Sequence, residues 1–144
     1  MLENPILLVE DSDDDYLMTK RAFDKASLKN EMIRVTTGDE ALDFFYKQNQ
    51  YHAALRPLII LLDLNLPGTD GKDVLKIAKA DASLKTIPIV ILTTSNDERD
   101  IEGCYRAGAN TYIKKPVEFT GFLKTISSLK DFWLEVSLLP RLDV

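Results

Sequence analysis

Three runs of consecutive apolar residues constrain the fold of this chain more than any other feature. They are Ile6-Leu7-Leu8-Val9, Leu58-Ile59-Ile60-Leu61-Leu62 and Ile89-Val90-Ile91-Leu92. Because none of them alternates with polar residues, each predicts a strand that is buried on both faces, which is typical of a parallel sheet. Two weaker segments, residues 32–35 and 111–113, are the candidates for a second and a fifth strand.

Amphipathic stretches lie between these runs and predict helices. The last stretch is the clearest, because its apolar residues recur at spacings of three and four: Phe119, Phe122, Leu123, Ile126, Leu129 and Trp133. Gly108 is expected to end the fourth helix. Strand and helix alternate five times, which with right-handed crossovers predicts a doubly wound α/β domain of five parallel strands. The segment 47–57 is the longest predicted loop.

Composition and charge exclude several classes of protein. A chain of 144 residues fits one domain, which we expect to span residues 1–144. The net charge of -5 argues against binding to nucleic acid. No apolar run approaches the roughly 18 residues needed to cross a membrane, and the N-terminus does not resemble a signal peptide. Cys104 is the only cysteine, which agrees with a cytoplasmic location.

Polar residues follow the apolar runs at the points where the predicted strands end. They are Glu10 and Asp11 after the first run, Asp63 after the third, Thr93 and Thr94 after the fourth, and Lys114 and Lys115 after the fifth. In open α/β sheets the carboxyl ends of the strands form the site. Three carboxylates in one cleft repel each other, and Mg²⁺ with oxygen ligands is the simplest remedy.

The same cluster has the groups needed to accept a phosphoryl group. A carboxylate can attack phosphorus and form an acyl phosphate. The cation would neutralise the charge that keeps a carboxylate and a phosphate apart. A lysine and a hydroxyl opposite the cation could hold the remaining phosphoryl oxygens.

These residues also resemble the motifs of a known family. Leu8-Val9-Glu10-Asp11, Leu61-Leu62-Asp63-Leu64-Asn65-Leu66-Pro67-Gly68-Thr69-Asp70-Gly71, Leu92-Thr93 and Lys115-Pro116 are similar to the receiver domains of two-component response regulators. The motifs occur in the family's order, and the resemblance covers roughly residues 4 to 130. It implies a flavodoxin-like sheet with the strand order 2-1-3-4-5.

The resemblance also implies a role for each position. Asp63 is the expected phosphoacceptor, Thr93 the switch hydroxyl, Lys115 the partner of the phosphoryl group and Tyr112 the switch aromatic. The Lys115-Pro116 peptide bond is expected to be cis. The expected Mg²⁺ ligands are four oxygen donors: Glu10 through water, Asp11, Asp63 and the backbone carbonyl of Asn65.

A narrower resemblance concerns the single-domain regulators that pair with phytochrome-type histidine kinases. It rests on the Leu-Asp-Leu-Asn-Leu-Pro-Gly and Leu-Thr-Thr-Ser motifs, the long loop before the third strand and the apolar ending. It implies a kinase that donates a phosphoryl group from its own histidine, an output face made by helix 4, strand 5 and helix 5, and no DNA-binding domain. Residues 131–144 are expected to join that face in a homodimer or partner contact, with folding back onto the domain as the alternative.

Other hypotheses remain open at this point. A haloacid-dehalogenase-type phosphatase also has a nucleophilic Asp after a strand and a second Asp two residues later. Asp63 has Asn65 at that place, but Asp11 has Asp13 there, so this alternative stays open. A scaffold that keeps the fold without being phosphorylated is a third possibility. The resemblance to receiver domains implies instead a signalling protein with metal-assisted self-phosphorylation and autodephosphorylation, rather than an enzyme.

Several polar residues near the motifs have simpler explanations. Asp13, Asp14 and Asp15 could be further cation ligands. The simpler explanation is that Ser12 or Asp13 caps the first helix and that the neighbouring acids favour the positive end of the helix dipole. Lys114 is expected to be a solvated neighbour of Lys115. Tyr112 could be half-buried core.

Overall fold

The computed structural model describes residues 4–140, in which five strands alternate with five α-helices. The strands are β1 (Ile6–Val9), β2 (Met32–Val35), β3 (Ile59–Leu62), β4 (Ile89–Thr93) and β5 (Thr111–Lys114). The helices are α1 (Asp13–Lys25), α2 (Gly38–Phe45), α3 (Gly71–Ala80), α4 (Glu98–Arg106) and α5 (Phe119–Lys130). The predicted succession of strands and helices is thus confirmed.

The five strands form one parallel sheet in the order β2-β1-β3-β4-β5. The three apolar runs form the three central strands, and every residue of β1, β3 and β4 is buried. Within the described residues, β2 and β5 lie at the edges and are only partly buried. This confirms the doubly wound fold and its strand order.

Each central strand contributes to two hydrophobic cores, one on each face of the sheet. In β1, Leu7 and Val9 point toward the core beneath α2, α3 and α4, whereas Ile6 and Leu8 point toward the core beneath α1 and α5. Because successive side chains of a strand point to opposite faces, both cores require apolar residues in an unbroken run. The sheet therefore holds its carboxyl ends in a fixed arrangement.

Local hydrogen bonds define the helix ends. The Ser12 side chain accepts a hydrogen bond from the Asp15 amide at 3.2 Å, which caps α1. After α4, Gly108 adopts a φ of 105° and its amide donates to the Tyr105 carbonyl, so the predicted helix stop is confirmed. The predicted loop at 47–57 contains one short 3-10 helix, Asn49–Tyr51.

The chain continues past α5 as a π-helical segment, Asp131–Val136. Trp133 and Leu134 are partly buried against the core beneath α1 and α5. Phe132, Val136 and Leu138 are exposed, with 54%, 71% and 98% of their surface accessible. The extension therefore folds back only in part, and its last residues, 141–144, lie outside the described range.

Across residues 4–140 no helix has the length and apolar character needed to cross a membrane.

Candidate functional site

The site lies where β1 and β3 end side by side. The ladder continues one residue beyond each strand, since the Glu10 amide donates to Val35 and the Asp63 amide donates to Val9, at 3.0 and 3.1 Å. Glu10 and Asp63 are 1% and 7% exposed, and Asp11 is exposed. One carboxylate oxygen from each of the three acids lies within 4.8 Å of the others. That spacing suits a shared divalent cation with oxygen ligands.

Lys115 enters this cleft from the end of β5 and is only 4% exposed. Its Nζ donates to Glu10 Oε1 at 2.5 Å, to Asp15 Oδ2 at 2.9 Å and to Asp63 Oδ2 at 3.0 Å. Its backbone amide donates to the Thr93 carbonyl at 2.6 Å, which fixes the start of the side chain. An ammonium has three N–H donors, so each of them has its own carboxylate.

Burial and charge act in opposite directions on the pKa of Glu10 and Lys115, the two most buried titratable groups of the cleft. Burial raises the pKa of Glu10 to about 7, although Lys115 lowers it in part. For Lys115, burial alone would lower the pKa, but the bonds to Asp15 and Glu10 and the charge of Asp63 outweigh it and raise the pKa. Lys115 therefore stays charged at neutral pH, whereas Glu10 titrates near it.

Thr93 is fully buried at the end of β4, and its hydroxyl has no hydrogen-bond partner among residues 4–140. A buried hydroxyl without a partner is unfavourable, because it has lost its water and gained nothing in return. The neighbouring Thr94 is exposed. Thr93 therefore offers a buried hydroxyl that has no partner among the described residues and could donate to a ligand oxygen.

Tyr112 lies in β5 and joins this strand to the loop after β4. Its side chain is partly buried against the core beneath α2, α3 and α4, and its hydroxyl donates to the Ser95 carbonyl at 3.0 Å. The Ser95 hydroxyl in turn donates to Asp100 at 2.7 Å, and Lys72 forms an ion pair with the same carboxylate. The loop after β4 is thus tied to α3, α4 and β5.

A glycine at position 71 is needed for the close packing between the start of α3 and the backbone of Asp63. A Cβ atom at Gly71 would lie 2.2 Å from the Asp63 carbonyl oxygen, which is closer than any side chain can approach. The Gly71 amide donates to the Leu64 carbonyl at 3.0 Å, and the amide of exposed Asn65 donates to Asp63 Oδ1 at 3.3 Å. The start of α3 therefore packs directly on the backbone of Asp63.

The structure brings together the acids and the lysine that were singled out, and it adds one residue. Asp15 was considered as a further cation ligand and interpreted more simply as a favourable charge at the start of α1, but its contact with Lys115 was not predicted. The one available signal was position, because Asp15 lies in the first turn of a helix that begins at this edge of the sheet.

The expected cis bond before Pro116 was wrong: the described residues contain no cis peptide bond, and trans is the isomer that X–Pro bonds favour.

Comparison with known proteins places the chain among well-defined relatives. Residues 6–127 match the family described as response regulator receiver domain. Response regulator Rcp1 of Synechocystis sp. is 38% identical over 135 residues, which cover 94% of this chain and 92% of Rcp1. The crystal structure of the phosphorylated cyanobacterial phytochrome response regulator RcpA superposes with a TM-score of 0.92 at 37% identity, covering 96% of this chain and 99% of RcpA. The Mn²⁺-bound form of Rcp1 gives a TM-score of 0.91 at 38% identity, covering 96% of this chain and 99% of that one.

Proposed function

This chain belongs to the response regulator receiver domain family, and we propose that it works by accepting a phosphoryl group on Asp63 from a partner histidine kinase. The observation that carries the assignment is the setting of Asp63. Its carboxylate lies beside Glu10 and Asp11, within reach of one cation, and shares the Lys115 ammonium. Sequence comparison supports a signalling protein rather than the alternative phosphatase.

The proposed chemistry follows from the positions of these groups. A carboxylate oxygen of Asp63 attacks the phosphorus, the bond from phosphorus to the donor's histidine nitrogen breaks, and its electron pair returns to the imidazole. Mg²⁺ would be held by Glu10, Asp11, Asp63 and the Asn65 carbonyl, and when bound it would offset the charge between carboxylate and phosphate. Two observations support a divalent cation: Rcp1 has been crystallised in an Mn²⁺-bound form, and Glu10, Asp11 and Asp63 of this chain offer oxygens close enough to share one ion.

Lys115 and Thr93 would then hold the phosphoryl oxygens. Lys115 carries a charge that survives burial, and the Thr93 hydroxyl has no competing partner among the described residues. Movement of Thr93 toward the phosphoryl group would act on Ser95 and thereby on the hydroxyl of Tyr112. The face made by α4, β5 and α5 would change in consequence, which is a two-state response to a local charge.

Labelling with a small phosphodonor tests this function. In the presence of Mg²⁺ the protein should form an acid-stable, base-labile phosphoprotein with one phosphoryl group per chain, which is then lost slowly by autodephosphorylation. Rapid turnover of diverse phosphate esters would instead support the phosphatase, and failure to label would support the scaffold.

Burial of Glu10 leads to a prediction about pH. A proton on Glu10 competes with the cation, so a pKa of about 7 means that Mg²⁺ binds more weakly as the pH falls through 7. From about pH 8 to about pH 6 the ionised fraction of such a group drops roughly tenfold, and the Kd for Mg²⁺ should rise by about that factor. Titration calorimetry measures it, with Glu10→Gln as the variant that should lose the pH dependence. A Kd that is the same at both pH values in the unaltered protein would contradict the prediction.

The relatives also support a more specific partner, a phytochrome-type histidine kinase. RcpA is described as a cyanobacterial phytochrome response regulator, and its fold is matched over 96% of this chain. Phosphotransfer from candidate kinases encoded in the same genome would identify the partner by its rate.

We also propose that the chain forms a homodimer through α4, β5, α5 and the extension 131–144. The support is an apolar groove between β5 and α5 that is bordered by Ile113, Leu129 and Trp133, together with the exposed Phe132 and Val136. Exposed apolar surface of this kind usually marks a contact. We expect size-exclusion chromatography with light scattering to show a dimer that Phe132→Glu dissociates. A monomer at high protein concentration, with and without phosphorylation, would contradict the proposal.

A further inference from the structure

Arg34 of β2 contacts both ends of the short connection between β1 and α1. Its Nε donates to the Glu10 carbonyl at 2.9 Å, and its Nη1 donates to Asp13 Oδ1 at 2.7 Å. The guanidinium carbon lies 4.7 Å from the centre of the Tyr16 ring, which is a cation–π contact. Because the Arg34 side chain is only 16% exposed, the guanidinium is enclosed by these three groups.

The hydrogen bond to the Glu10 carbonyl acts on the backbone of Asp11. This carbonyl belongs to the peptide unit that joins Glu10 to Asp11, and because the unit is planar, its orientation sets that of the Asp11 amide. The Glu10 amide is already fixed by its bond to the Val35 carbonyl. Arg34 therefore extends the ordered backbone from the end of the β1 ladder to Asp11.

Asp11 depends on such an anchor more than the other two acids of the expected cation site. Glu10 and Asp63 are buried, whereas Asp11 is exposed, so packing does not restrict it in the same way. The Asp13 side chain is 85% exposed, and an ion pair with so exposed a partner contributes little by itself. The bond from Arg34 to the Glu10 carbonyl is therefore the more important of the two.

We propose that Arg34 is a positioning residue for the cation site, which holds the backbone of Asp11 so that its carboxylate lies beside those of Glu10 and Asp63. The inference rests on the proposed binding of Mg²⁺ by these acids. The sign of the effect separates it from a role of charge alone. A positive charge near three acids weakens cation binding, so its removal would tighten Mg²⁺ binding. Removal of a group that orients a ligand weakens it.

The test uses Arg34→Met, which removes the guanidinium and keeps an unbranched side chain. We expect the Kd for Mg²⁺, measured by titration calorimetry above the pKa of Glu10, to rise about tenfold. Without Mg²⁺, the NMR order parameter of the Asp11 amide should fall from about 0.85 to below about 0.6. Arg34→Lys keeps the charge and a donor for the Glu10 carbonyl but lacks the planar fork, so it should restore part of the affinity. A merely structural role would lower the free energy of unfolding without changing either value in the folded protein.

Arg21→Met is the matched control, because it removes the same group from an exposed position of α1. Its Kd for Mg²⁺ should stay within about twofold of the unaltered protein. Unchanged or tighter binding by Arg34→Met, equal weakening in both variants, or an Asp11 amide that stays rigid would each overturn the positioning role. Labelling of Asp63 in the unaltered protein would still support the proposed function in those cases. Absence of Mg²⁺ binding by the unaltered protein would overturn the cation site and this inference together.

Discussion

Asp63→Asn is expected to reduce phosphorylation by a small phosphodonor to below about 1% of the unaltered protein, because it removes the attacking group itself. The amide oxygen of Asn can still accept the hydrogen bond from Lys115, so the variant should fold normally. What it lacks is an anionic oxygen that can form the bond to phosphorus. Phosphoprotein gels, with circular dichroism to confirm the fold, provide the measurement.

The control for this experiment is Asp14→Asn, the same chemical change at an exposed acid near the cleft. It should be labelled like the unaltered protein. Full labelling of the Asp63→Asn variant would show that another residue accepts the phosphoryl group and would reject the proposed function.

Lys115→Met is expected to lower the free energy of unfolding by about 3–5 kcal/mol near neutral pH in the absence of divalent cations. The substitution leaves Glu10 and Asp63, both almost fully buried, without their shared positive charge. Because Lys115 is the group that partly lowers the raised pKa of Glu10, its loss would make Glu10 bind a proton still more readily in the folded protein than in the unfolded chain. Stability should therefore fall further as the pH rises and recover as it falls. Urea unfolding at several pH values measures the effect.

The adjacent lysine supplies the control. Lys114 is exposed, and Lys114→Met should change the free energy of unfolding by no more than about 0.5 kcal/mol. Saturating Mg²⁺ should restore part of the stability lost in Lys115→Met, because a cation among the same acids replaces the missing charge. If both lysine variants were equally stable, Lys115 could not be the main counter-charge of the cleft.

The fold was predictable because its strongest signals are local in sequence. The runs that became β1, β3 and β4 must serve two cores, so their lack of alternation already specified a central parallel strand. Glu10, Asp63 and Lys115 could be placed for the same reason, since residues after parallel strands meet at one edge. Weak strands with exposed faces, such as β5, were predicted less sharply.

What could not be predicted depends on contacts between distant segments. The bond from Lys115 to Asp15 joins residues 100 positions apart. Three consecutive acids at a helix start give no sign of which one faces a lysine. The division of the C-terminal extension into half-buried Trp133 and exposed Val136 depends likewise on packing against α1 and α5.

Within the part of the chain that the structure describes, the Thr93 hydroxyl lacks a hydrogen-bond partner, and this affects the balance between resting and signalling states. Its burial makes the resting state less stable than it would be with a partner, by about 1–3 kcal/mol. A phosphoryl oxygen that accepts this one hydrogen bond would recover that free energy only in the phosphorylated form. Since about 1.4 kcal/mol is a tenfold change in an equilibrium constant, this one bond could shift the population of the signalling state by about one to two orders of magnitude.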